Sequence, residues 1–118
     1  MDPLALHGRL ATAIGLYFAV IGVWGIALGA RRSGPSPSFR GAIVIAEIAV
    51  VVQGLLGAFT ALRTPPEWIH VLYGFALLVA MPLAATIVRD YTPRRMSFSL
   101  GLAALFAAGL AVRGITTA

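Results

Sequence analysis

The chain has 118 residues, of which 59% are hydrophobic and only 11% charged, and its mean hydropathy is +0.92. A soluble domain carries about a quarter charged residues, so this composition excludes an ordinary water-soluble fold. The net charge of +5 comes from arginines scattered among the ends of apolar runs, which is not a nucleic-acid footprint. The absence of cysteine removes disulfides, thiolate metal sites and heme attachment through Cys-x-x-Cys-His.

Four stretches, Leu10–Ala30, Gly41–Leu62, Trp68–Val88 and Met96–Val112, contain no Arg, Lys or Asp. Each approximates the roughly 20 residues that cross a bilayer's hydrocarbon core. The expected fold is all-α: one polytopic membrane domain, 1–118, with helices over about 7–31, 40–63, 67–90 and 96–115. The first run lacks a basic leader, since Asp2 precedes His7 and Arg9, and it is longer than a signal peptide's apolar core. Its glycines Gly8, Gly15, Gly22 and Gly29 recur at heptad spacing. Small residues line helix contacts in lipid, so this stripe is expected to face a neighbouring helix or a flat cofactor.

The segment from Arg32 to Arg40 is a polar, proline-punctuated loop. The second run carries Gly54-x-x-x-Ala58 and Gly57-x-x-x-Ala61, two further packing patterns, and an isolated acid, Glu47. Thr64-Pro65-Pro66-Glu67 makes a short turn, with Pro66 and Glu67 suited to the first turn of the third helix and Trp68 to the interfacial belt. Pro82 is expected to kink that helix by freeing a carbonyl one turn earlier. Tyr91-Thr92-Pro93 is the third connection, and the last run carries Ala104-x-x-x-Ala108. Connections this short make an up-down-up-down bundle. Arg31, Arg32, Arg40, Arg89, Arg94 and Arg95 lie on one side of it, against Arg9, Arg63 and Arg113 on the other. The positive-inside rule then puts both termini on the outer face of a bacterial inner membrane.

The only histidines, His7 and His70, each open an apolar run that ends, at equal spacing, in an arginine pair, Arg31-Arg32 and Arg94-Arg95. The equal spacing suggests two hairpins related by an internal repeat. With an even number of crossings between them, both imidazoles lie at the same membrane face. Neutral imidazole is a good axial ligand for heme iron. A small residue follows each histidine by one helical turn, Ala11 and Gly74, where a porphyrin plane can approach. Arg9 and Arg63 sit at the same boundary as candidate partners for heme propionates. The plainer alternative is that both are interfacial histidines at helix ends.

The elements Leu6-His7-Gly8-Arg9-Leu10-Ala11 and Ile69-His70-Val71-Leu72-Tyr73-Gly74 resemble the histidine-bearing helices of small membrane b-type cytochromes. The layout is also similar to one four-helix half of heme A synthase. The resemblance implies a heme b held near one face by two histidines on different helices. The Glu-x-x-His motif of heme A synthase is absent, which argues against its catalysis, and the histidines lie closer to the helix ends.

Glu47 is the only carboxylate well inside an apolar run. A charge there costs about 3 kcal/mol, so it is expected to be neutral, paired or hydrated, and to serve proton handling or a partner contact. Gln53, on a different face of the same helix, reads as structural. Tyr17, Trp24, Trp68, Tyr73 and Tyr91 read as belt and packing residues.

These features point first to a b-type cytochrome or the heme-bearing subunit of an electron-transfer complex. Lipid, other membrane subunits and quinone are its expected partners. Such a chain is not expected to be an enzyme on its own. A structural subunit of a respiratory or photosynthetic complex is the second reading. A small transporter using Glu47 as its coupling acid is the third.

Overall fold

The computed structural model describes residues 2–117. The chain is all-helical: α1 spans Pro3–Ala30, α2 Pro37–Ala61, α3 Trp68–Ile87 and α4 Pro93–Thr116, with a 3₁₀ turn, Val88–Asp90, extending α3. Each of the four helices is long and apolar enough to cross a membrane.

Prolines fix three of the starts. α1, α2 and α4 begin at Pro3, Pro37 and Pro93, ahead of residues 7, 40 and 96 where the apolar runs suggest. At the first helical position proline loses nothing, because its missing N–H would have no partner there. Asp2 and Ser36 cap two of these ends, accepting from the Leu4 and Phe39 amides. The start of α3 differs from expectation in the other direction. Glu67 remains extended as the N-cap, and Pro65 and Pro66 stay outside the helix. A residue before proline avoids the helical region, which keeps Thr64 and Pro65 in the turn.

α1 and α4 form the spine. Gly22, Gly25 and Gly29 are buried against Gly101, Leu105 and Phe98 of α4, and Gly15 lies against Ala111. Residue numbers fall along α4 as they rise along α1. The closest approach is at Gly25 and Gly101, where a Cβ on Gly25 would stand 2.7 Å from the Gly101 Cα. Phe18, Ile21, Ala104 and Ala107 fill the seam, each at most 1% exposed.

Not every expected packing glycine is used. Gly8 has nothing within 4 Å of its Cβ position, because continuing the same register carries it past Thr116, where α4 ends. Gly54 is also open, so Gly54-x-x-x-Ala58 faces outward, while Gly57 makes a contact described below.

α2 packs on α1 and α3 on α4, whereas α2 and α3 touch least and α1 and α3 do not meet. The order around the bundle is therefore α1, α2, α3, α4, with α1 and α3 on a diagonal. Leu16, Val20, Leu55, Phe75 and Phe106 are each more than 60% exposed, an outer surface suited to hydrocarbon rather than water.

The arginine-rich end is pinned by polar contacts. Arg94 Nε donates to the Gly29 carbonyl at 3.1 Å, and the buried Ser97 hydroxyl donates to the Ser33 carbonyl at 2.7 Å. Arg32 takes a left-handed conformation, φ 59°, so that the Arg32 and Ser33 amides close the end of α1 onto the Gly29 and Leu28 carbonyls.

Candidate functional site

The structure brings His7 and His70 together. Although their helices lie on the diagonal, the two rings reach across the bundle until their centroids are 6.1 Å apart, with planes inclined by 72°. Both side chains are half-buried. Metal–nitrogen bonds to imidazole are about 2 Å and each ring centroid lies roughly 1 Å behind its nitrogen, so rings on opposite sides of one ion have centroids about 6 Å apart.

Each histidine also touches the far end of the helix that follows its own. His70 Nδ1 is 2.8 Å from the Gly114 carbonyl oxygen. A carbonyl only accepts, so Nδ1 carries the proton and Nε2 keeps the lone pair that a metal would use. Gly114 lies in the last turn of α4, where carbonyls have lost their helical backbone partners, so its oxygen can accept from the ring as well as from the Thr117 hydroxyl at 3.3 Å. The His7 ring lies against Gly57 of α2: a Cβ there would be 3.1 Å from His7 Cε1.

Gln53 fixes the His7 backbone, with its Nε2 donating to the His7 carbonyl at 2.8 Å. Two complementary atoms remain buried beside it without partners, His7 Nδ1 and Gln53 Oε1. Gln53 thus anchors the turn that carries His7, a structural role in keeping with the sequence expectation. The sequence signal that points to it is slight: an amide one helical turn before Gly57.

The other expected residues are not drawn into the pair. Arg9 and Gly74 are exposed, with nothing within 4 Å of the Gly74 Cβ position, and the Arg63 guanidinium lies 5.5 Å from the centre of the Phe59 ring. Glu47 is far along α2, ten residues or about 15 Å of helix from Gly57. Among the described residues no group of three or more His, Cys, Asp or Glu assembles to hold a metal ion. A structural zinc site, which needs four such ligands, has no place here. A heme, which brings four nitrogens of its own and asks the protein for two, fits the donor set present.

No family model, curated protein or solved structure matches the chain.

Proposed function

We propose that the chain is a multi-pass protein of the bacterial inner membrane that holds one b-type heme between His7 and His70. It would act as a small cytochrome or as the heme-bearing subunit of an electron-transfer complex. The observation carrying this reading is the 6.1 Å separation of the only two imidazoles in the chain. Two half-buried imidazole rings gain little from each other, whereas a shared metal would account for their convergence from helices on a diagonal.

The residues divide the work as follows. His7 and His70 would hold the heme iron through an imidazole nitrogen each; the Gly114 carbonyl fixes the His70 tautomer; Gln53 anchors the turn bearing His7. Arg9 and Arg63, exposed near the same end, are free to meet propionates. When bound, the heme supplies a one-electron centre whose potential depends on its axial ligands and burial.

An up-down-up-down order with both termini outside accompanies this reading. The opposed numbering of α1 and α4 supports the order, and the six-to-three distribution of arginines supports the orientation. The heme would then serve redox partners at the outer face, with quinone as the lipid-soluble partner. The second reading, a structural subunit, is favoured by one feature, the unpartnered Glu47 oxygen on an outward groove.

The test is a reduced-minus-oxidised visible spectrum of the purified protein with a pyridine hemochrome assay. About one heme b per chain, lost in both His7→Ala and His70→Ala, is the expected result. A colourless protein after expression with ample heme would refute it.

A further inference from the structure

The groove between α2 and α3, the neighbouring helices that touch least, has a volume of about 410 Å³ and includes one polar side chain, Glu47. Val51, Met81 and Pro82 form its apolar walls. Glu47 Oε2 is buried there with no hydrogen-bond partner. The volume lies within the roughly 300–1,000 Å³ range of small-molecule sites, whose linings are mostly apolar with few polar groups.

We propose that this groove binds the ring of a lipid-soluble quinone or quinol, with Glu47 as its hydrogen-bonding partner. Depth selects this occupant. Glu47 is ten residues past Pro37, about 15 Å along α2, which puts it well inside a hydrocarbon core about 30 Å thick. Phospholipid headgroups stay at the interface and do not reach that level. A quinone ring on an isoprenoid tail is at home there, and its oxygens supply the hydrogen-bond partner that Glu47 Oε2 lacks. The carboxyl suits both redox states: when protonated it donates to a quinone carbonyl, and when ionised it accepts from a quinol hydroxyl. The proposal rests on the electron-transfer reading for its purpose, but binding does not require the heme.

The experiment measures equilibrium binding of decylubiquinone to the full chain in phospholipid nanodiscs. Wild type is compared with Glu47→Leu, Val51→Trp, which fills the groove, and Leu102→Trp, which adds the same bulk on exposed α4. About one quinone per chain is expected for wild type and Leu102→Trp. Binding should weaken about tenfold in Glu47→Leu, the loss of one hydrogen bond to a charged or acidic group, and disappear in Val51→Trp. Helical circular dichroism confirms that the variants fold. His70→Ala separates the two readings, since it should lose heme and still bind quinone. Equal binding by wild type and Glu47→Leu overturns the proposal. So does a wild-type dimer that Val51→Trp breaks, which would assign the groove to a second copy. Normal heme with no quinone bound would refute this site and leave the histidine reading standing.

Discussion

Adding one methyl group at Gly25 should separate the spine of the bundle. In Gly25→Ala the new Cβ would meet backbone atoms, Gly101 Cα at 2.7 Å and Ser97 O at 2.9 Å, rather than the tip of a movable side chain. Carbon atoms prefer about 3.5–4.0 Å, so α1 and α4 must part by roughly 0.8 Å at their closest approach. A gap of that size forfeits a quarter to a half of the dispersion energy of the contacts it opens. Overpacking of this kind costs about 1–3 kcal/mol. The rigid backbone on both sides places Gly25 in the upper half of that range. Alanine also improves helix propensity by up to about 1 kcal/mol, and this has to be removed from the comparison. Gly8→Ala removes it, because that position lies on the same helix with nothing within 4 Å. The difference between the two variants therefore isolates the packing term, about 2–3 kcal/mol. The assay is unfolding in mixed micelles with increasing dodecyl sulfate, followed by circular dichroism and by the fluorescence of Trp24, which packs edge-on against Phe39 at 5.4 Å. Equal midpoints for Gly25→Ala and Gly8→Ala would refute the register assigned to α1 and α4.

Three further outcomes are expected. Gly57→Ala puts a methyl group 3.1 Å from His7 Cε1; the ring should shift by a few tenths of an ångström, altering the electron paramagnetic resonance of an oxidised heme without loss of pigment. An unchanged signal would show that the ring does not carry the metal. Gln53→Leu removes the 2.8 Å bond to the His7 carbonyl and should cost about 1 kcal/mol in the same unfolding assay while loosening heme retention; full retention in a heme-transfer assay would contradict its anchoring role. Arg32→Gly relieves a left-handed conformation at φ 59° and should raise stability by up to about 1 kcal/mol, and a lowered midpoint would count against the helix-end geometry.

The extent of the four helices follows from runs of apolar residues that have only one way to satisfy their backbone in lipid. Their starts are less legible, because a proline that reads as a loop-former is equally at ease as the first helical residue, as at Pro37 and Pro93. The glycine stripe on α1 announces a close contact but does not name the partner. Any of three helices satisfies it, and the choice of α4 depends on side chains such as Leu105 and Phe98 meeting it in register. Where α4 ends, the stripe loses its meaning, as Gly8 shows. The equal placement of His7 and His70 is visible in sequence, and so is their shared face once the number of crossings is counted. Their lateral approach is not, since it requires the order of helices around the bundle. Gln53 was harder still: an amide's role depends on which carbonyl lies opposite it, and no periodicity records that.

The α1–α4 seam bears on how a ligand could enter such a bundle. Arg94 and Ser97 tie α4 to the end of α1 through backbone carbonyls, and the glycine contacts continue from there, so the two helices run as one strut. α2 and α3 lean on that strut separately and scarcely on each other. A molecule arriving sideways from the lipid would have to part only that pair, and the strut would keep the register of the whole while it did so.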